Sequence, residues 1–297
     1  MATSAMCLCQ SFTESQAGRA ASGLRKQCLG EWGQHNGLVK PPAAAMSIRP
    51  DTQTLIKALI QARLSGQPLR AADWVSAVHS EAEAYAVQDG VAAALGWAEG
   101  PLVRYWKSGG ATRSGPFNHA PLDPAAINPA SKTWPLLGVE AEVALRLGRD
   151  VSPEAARAME SETAGDWVDA MAVAVELVAS RWTEGLAAPE LLRMADHQSN
   201  AGLMLGIWQH YAARDWSAQT CQVKVGSQTP VTCTGSHSLN DPAWLLPAWL
   251  QHLTRHGTTV AAGTVVTTGS WVGCLPIQPG DRVSVDFAGL GNLTVWL

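Results

Sequence analysis

Charge is scarce in this chain. Lys, Arg, Asp and Glu together make up 15% of its 297 residues, against roughly 25% in an average soluble protein. The small excess is acidic, a net charge of −4. Without a basic stripe there is nothing to follow a phosphate backbone, which argues against a nucleic-acid partner. No apolar run reaches the ~20 residues that cross a bilayer, which argues against a membrane partner. The cysteines (Cys7, Cys9, Cys28, Cys221, Cys233 and Cys274) show no CxxC spacing, and no secretory pattern precedes them. Free thiols in a reducing cytoplasm are therefore expected. A dinucleotide GxGxxG, a P-loop and a GxSxG nucleophile elbow are all missing, as is any repeat of 20–50 residues. Phe and Tyr occur three times each, while Trp occurs 13 times, so large-aromatic packing falls to tryptophan. So little charge also suggests that much of the surface is covered, as in a homo-oligomer.

What is present divides the chain in two. Residues 1–45 are rich in Ser, Ala, Gly and Gln, show no sustained periodicity and end in Lys40-Pro41-Pro42. They are expected to be a disordered extension or a mis-assigned start, with Met46 the true initiator. Residues 46–297 are expected to form a single domain, with a helical front at 46–100 and a mainly β body at 101–297. Leu55, Leu59, Ile60 and Ala62 predict a helix from Asp51 to near Gly66. A second helix is predicted from Ser80, with Glu83 completing a capping box. Thereafter short β-type runs alternate with Gly and Pro turns: 102–106, 136–147, 171–180, 221–225, 264–268, 282–287 and 292–296. One helix, over 242–252, interrupts them. The texture is α+β without βαβ alternation.

The chemistry concentrates in Glu140-Ala141-Glu142, inside the apolar run 135–145. Residues two apart in a strand point to one face, so both carboxylates lean the same way and repel unless a cation lies between them. A third acid, Glu176, stands alone in the apolar run 172–179. Three glutamate oxygen donors completed by water describe a Mg²⁺ or Mn²⁺ site, and no His or Cys at zinc spacing accompanies them. Open coordination positions would suit the carboxylate and keto oxygens of a 2-keto acid. The alternative is that these are edge-strand charges facing water.

Lys107 closes an apolar strand against a flexible turn at Gly109-Gly110, where desolvation could tune it for proton transfer; the alternative is an exposed strand-end lysine. His119 lies in a turn-rich segment (Pro116 to Leu122) that could cover a site or be plain loop. His197 stands beside Asp196, a carboxylate able to tune it near neutrality. Arg181 offers a planar fork for a distal substrate carboxylate, or a buried pair with an acid.

Several segments, in order, resemble the 2-keto-4-pentenoate hydratase branch of the fumarylacetoacetate hydrolase family. They are Glu83-Ala84-Tyr85-Ala86-Val87-Gln88, Trp106-Lys107, Gly138-Val139-Glu140-Ala141-Glu142, Val175 to Arg181, and Ala195-Asp196-His197-Gln198-Ser199. The stretch from Thr268-Gly269-Ser270 through Pro279-Gly280-Asp281 to Gly289-Leu290-Gly291 also fits. The resemblance implies a mixed β-roll or sandwich with a helical N-terminal portion, and a divalent metal on Glu140, Glu142 and Glu176. It implies Lys107 as general acid/base, with Asp196 and Ser199 beside the substrate. Departures are His197 where Asn is usual, Ala179 where Asp often stands, and Ser108-Gly109-Gly110-Ala111 in place of Gly-Leu-Thr-Ser. The implied activity is Mg²⁺-dependent hydration of a 2-hydroxy-alka-2,4-dienoate in the breakdown of aromatic compounds. Decarboxylation of a 2-oxo-enedioate, acylpyruvate hydrolysis, and a non-catalytic subunit associated with a decarboxylase stay open. The expected partners are that small keto or dienol acid and further copies of the chain.

Overall fold

The structure, a computed structural model, describes residues 50–100, 102–130 and 135–297; the expectation for residues 1–45 lies outside them. The chain opens on α1 (Pro50–Ser65), with Pro50 and Asp51 in its first turn and Arg63 in its last. Leu55, Ile56, Leu59 and Ala62 form its buried stripe. Helix α2 (Glu81–Ala94) is capped by the Ser80 hydroxyl, which accepts from the Glu83 amide at 3.3 Å. The return bond of the predicted capping box lands one residue early: Glu83 accepts from the His79 amide at 2.7 Å. Gly66, at φ +72°, stands just beyond the last turn of α1, a conformation that favours glycine.

The β body follows. A small hairpin joins β1 (Ala98–Glu99) and β2 (Leu102–Val103). The remaining elements are β3 (Tyr105–Gly110), β4 (Phe117–Pro121), β5 (Gly138–Leu147), α3 (Pro153–Ala158), β6 (Val168–Val178), α4 (Glu190–Ala195), β7 (Asn200–Leu205) and β8 (Gln209–His210). They continue through β9 (Thr220–Val225), β10 (Val231–Thr234), α5 (Leu246–Leu253), β11 (Val265–Thr267), β12 (Leu275–Pro276), β13 (Arg282–Phe287) and β14 (Gly291–Trp296). The large sheet runs β4-β3-β11-β5-β6-β7, with β12 on β5 and β8 on β6. Its β3–β11 pair is parallel and its other pairs are antiparallel. The second sheet runs β10-β9-β13-β14, and β13 and β14 pack against β6. This is an α+β fold, helices in front and two packed sheets behind, as the resemblance implied.

Strands β5 and β6 are central, covered on both faces, and so read as nearly unbroken apolar runs. Helices α1 and α2 share one core with both sheets, filled by Leu55, Leu59, Val87, Val143, Leu145, Val173, Trp249, Trp271 and Phe287. No helix among the described residues is long and apolar enough to cross a membrane.

Two local expectations are corrected. The Gly109-Gly110 turn is strand: β3 continues through Gly110 and pairs there with β4. A Cβ on Gly110 would come within 2.6 Å of the Phe117 ring, so the glycine admits a close neighbour instead of turning the chain. The segment around His119 is likewise strand, with His119 opposite Ser108, and its prolines sit at the ends of β4.

Candidate metal centre

Glu140 and Glu142 project from one face of β5, and antiparallel pairing sets Glu176 of β6 directly opposite Glu140. One ligand oxygen from each of the three lies within 4.8 Å of the others. Since β5 lies between β11 and β6, these are not edge-strand charges. Glu176 is fully buried and Glu142 nearly so.

Register brings Lys107 to the same place. Its Nζ donates to Glu176 Oε1 at 2.5 Å and to the Gln198 carbonyl at 3.4 Å. Burial pushes the lysine pKa down, but the attraction of Glu176, Glu140 and Glu142 outweighs it and the net shift is upward. Lys107 therefore sits in its cavity as an ammonium, a donor and not a free base. Asn200 Nδ2 also donates to Glu176 Oε1, at 3.1 Å, and the Gly269 amide donates to Glu142 Oε2 at 3.0 Å. Burial, then the neighbouring Glu176 and Glu140, push Glu142 up to about 8. Burial and Glu176 likewise raise Glu140.

One buried oxygen, Glu176 Oε2, has no hydrogen-bond partner among the described residues. A buried carboxylate oxygen left unsatisfied is costly, and a cation shared with Glu140 and Glu142 would satisfy it. An all-oxygen, anionic donor set with no sulfur or imidazole suits a hard divalent cation. The residues present thus fit such an ion.

These groups open on a cavity of about 340 Å³ lined also by Ser108, Asn118, Val178, Leu186, Arg193, Met194 and Ser199. Its floor includes an unusual turn. His197, Gln198 and Ser199 all have positive φ, at 52°, 53° and 61°. Left-handed backbone costs a non-glycine residue roughly 1–2 kcal/mol, and such strain clusters at functional sites. Here it aims the Gln198 carbonyl at Lys107 and sets Ser199 on the cavity.

The nominated residues separate by location. Glu140, Glu142, Lys107 and Ser199 line the cavity, with Glu176 beneath Lys107. Asp196, His197, Arg181 and His119 do not. Asp196 is fully buried, accepting from Arg181 Nε at 2.5 Å, the Arg181 amide at 2.9 Å and Arg63 Nη2 at 3.2 Å. It anchors the strained turn from behind, and Arg181 is spent on it and not available to a substrate. His197 faces away, its Nδ1 3.2 Å from Arg63 Nη2 and its ring on Trp97. Burial, then the charges of Arg63 and Arg181, hold it well below its ordinary pKa. Asp196 therefore does not tune it toward neutrality. His119 is buried behind Ser108, with Nδ1 2.7 Å from the serine hydroxyl, and burial and Arg255 lower it to about 3.

Asn200, Gln198, Arg193 and the Gly269 amide were not singled out from the sequence. Asn200 directly follows the family-like segment, a signal that could have been followed. Gln198 and Gly269 lie within family-like segments, but their roles fall to a backbone carbonyl and amide, which no side-chain pattern marks; Arg193 has no local signature, because a helix arginine gains its role only from what folds against it.

A family model described as fumarylacetoacetate (FAA) hydrolase C-terminal matches residues 116–296. Two curated relatives, 2-keto-4-pentenoate hydratases 1 and 2 of Dechloromonas aromatica (strain RCB), are 32% and 31% identical over 165 residues. Those alignments cover 52% of this chain and 58% of each relative, so the chain spans little more than half their length. Among solved structures, 4-oxalocrotonate decarboxylase from Pseudomonas putida G7, complexed with magnesium and adipate, superposes with a TM-score of 0.70 at 18% identity. The match covers 82% of this chain and 95% of that one. The same enzyme complexed with calcium and acetate gives 0.69 at 18% identity, covering 82% and 96%. At that identity the likeness is one of fold.

Proposed function

The chain belongs to the fumarylacetoacetate hydrolase family, and from that premise we propose that it is a divalent-metal-dependent hydratase of 2-hydroxy-alka-2,4-dienoates. The observation that carries this reading is the Lys107 ammonium on Glu176, beside Glu140 and Glu142 at the cavity. Glu140, Glu142 and Glu176 would hold Mg²⁺, with Mn²⁺ the alternative, and the ion when bound would supply Lewis acidity at the substrate's 2-oxygen.

The remaining steps belong to the protein. Lys107 Nζ holds a proton inside the cavity and delivers it to C5 of the dienol, and the neutral amine then takes up the proton released by the 2-hydroxyl, which restores the ammonium. The product of that step is an α,β-unsaturated 2-keto acid. Water then adds across the C3–C4 bond, its hydroxyl to C4 and its proton to C3, yielding the 4-hydroxy-2-keto acid. The Ser199 hydroxyl, buried on the cavity wall without a partner among the described residues, is a donor for the substrate carboxylate. Val178, Leu186 and Met194 supply apolar wall for the carbon chain. Proton transfer of this kind contributes about 10²–10⁴-fold. In this reading the chain works as a cytoplasmic homo-oligomer in aromatic-compound breakdown.

The test is an ultraviolet assay with 2-hydroxypenta-2,4-dienoate and its longer dioate analogue, with Mg²⁺ and after EDTA. Metal-dependent loss of the dienol absorbance, with the 4-hydroxy-2-oxo acid accumulating, is expected. Release of CO₂ from a 2-oxo-enedioate without hydration would replace this reading with a decarboxylase, and no turnover of any of these acids would favour a non-catalytic subunit.

A further inference from the structure

The cavity holds a second cation besides Lys107, and it has no acid of its own. Arg193 lines the cavity, its Nε is shut off from water, and that Nε has no partner among the described residues. Nor does Arg193 form an ion pair within 4.0 Å among them; the ion pairs of this region join Lys107 to Glu176, and Arg63 and Arg181 to Asp196. A buried guanidinium donor left unsatisfied costs stability, and the rest of the guanidinium, with no hydrogen bond or ion pair among the described residues, is the part that a ligand in the cavity would meet.

The backbone beneath Arg193 is fixed. Its own amide donates to the Pro189 carbonyl at 2.9 Å. On either side, Trp182 Nε1 donates to the Leu192 carbonyl at 3.0 Å and Gln88 Nε2 to the Met194 carbonyl at 2.6 Å. A few residues on, Asp196 is held by two arginines. The arginine thus stands on a rigid pedestal, which keeps the ordering cost of binding low.

The charge pattern defines what it would take. Glu140 and Glu142, with Glu176 beneath Lys107, form the acidic end of the cavity, where a cation and the 2-keto-acid head would sit. Lys107 is committed to Glu176, and the Ser108 hydroxyl to His119. Arg193 is left as the site's free fork for an anion. The acid nearest to it in sequence that shares the cavity, Glu190, is solvent-exposed and forms no ion pair with it among the described residues. A guanidinium binds a carboxylate bidentately, with strong charge-assisted bonds.

Resting on the hydratase reading, we propose that Arg193 selects a substrate with a second carboxylate at its far end, so that the preferred substrate is a dienol dioate and not a monoacid. This assignment also bears on the reaction. A carboxylate gripped by a guanidinium is stabilised as the anion, so losing it as CO₂ would require breaking the ion pair. Hydration leaves that carboxylate in place.

The test is calorimetric binding to the full chain with Mg²⁺, using two unreactive acids of equal length, 2-oxoheptanedioate and 2-oxoheptanoate. The wild type should bind the dioate about 10- to 100-fold more tightly, the range one charge-assisted pair commands. R193Q should lose that preference while keeping its affinity for the monoacid, R193K should keep part of it, and E190Q should keep or widen it. Comparing two ligands on one protein cancels any folding defect. Equal affinity for both acids in the wild type, or an undiminished preference in R193Q, overturns the proposal. The two readings fail separately: hydration of the monoacid dienol without a binding preference sinks only the role of Arg193, and a preference without hydration of either dienol sinks only the hydratase.

Discussion

Glu176 is buried with a lysine and an asparagine on one oxygen and no described partner on the other. Removing either member of the Lys107–Glu176 pair therefore has opposite consequences for a cation. Glu176→Gln should weaken Mg²⁺ binding at least ~10-fold, because an anionic ligand becomes neutral. Lys107→Met removes a competing positive charge, so Mg²⁺ affinity, measured by calorimetry, should hold or rise. On the hydratase reading, turnover of the same variant should fall about 10²–10⁴-fold, because that reading makes Lys107 the proton donor. A lysine variant that loses Mg²⁺ along with turnover would contradict this division of roles. The pairing of the acids was legible before folding was considered: residues two apart in a strand share one face. That Lys107 lands on Glu176 was not, since 69 positions separate them and only the β3–β11–β5–β6 order brings them together.

Among the elements, the site depends on how three segments meet. Asp196, at the end of α4, ties Arg63 of α1 to Arg181 beyond β6. Asp196→Asn leaves two buried guanidinium groups short of their counter-charge, at a cost of about 3–5 kcal/mol. It should appear as a lower urea midpoint even with Glu140, Glu142 and Glu176 intact. Strand β12 closes on β5 at Gly138, where a Cβ would come within 2.5 Å of Cys274 Sγ and 2.8 Å of the Leu275 carbonyl. Backbone cannot retreat as a flexible side chain can, so Gly138→Ala should destabilise by about 1–3 kcal/mol. It should also weaken Mg²⁺ binding, because Glu140 follows two residues along the same strand. A variant with unchanged midpoint and metal affinity would show that β12 moves freely. Strands with alternating or β-branched runs, such as β13 and β14, were legible at nearly their observed limits. Strand β4 was not, because prolines disguised a short edge strand as a loop.

At the scale of the whole molecule, burial of imidazoles sets how stability responds to acid. His252 lies against Tyr85, Trp106 and His119. Burial, then Arg255, lowers it from 6.5 to about 2. His237, under the Thr268 carbonyl, is lowered to about 4, mainly by burial. A base whose folded pKa lies below its unfolded value stabilises fully above the unfolded pKa and loses that contribution as pH falls. Each such histidine should cost ~1.4 kcal/mol per pH unit below about 6.5. The raised Glu140 and Glu142 act in the opposite direction, so the comparison needed is between wild type and His252→Phe. Urea midpoints measured between pH 7 and 5 should fall less steeply in the variant, by one proton's worth of slope. Parallel curves would show that His252 is already solvated.

The sequence by itself determined the α+β texture, the capped front helix and the placing of three acids in apolar runs. Hydrophobic period, end signals and charge in an apolar run act over a few residues and can be read there. Tertiary structure alone decided that Lys107 is an ion-paired ammonium, that Asp196 and Arg181 brace the strained turn from behind, and that Arg193 faces the cavity without an acid. Those outcomes depend on which distant backbone comes within hydrogen-bond reach and how much water it displaces, and neither is a property of any local stretch of chain.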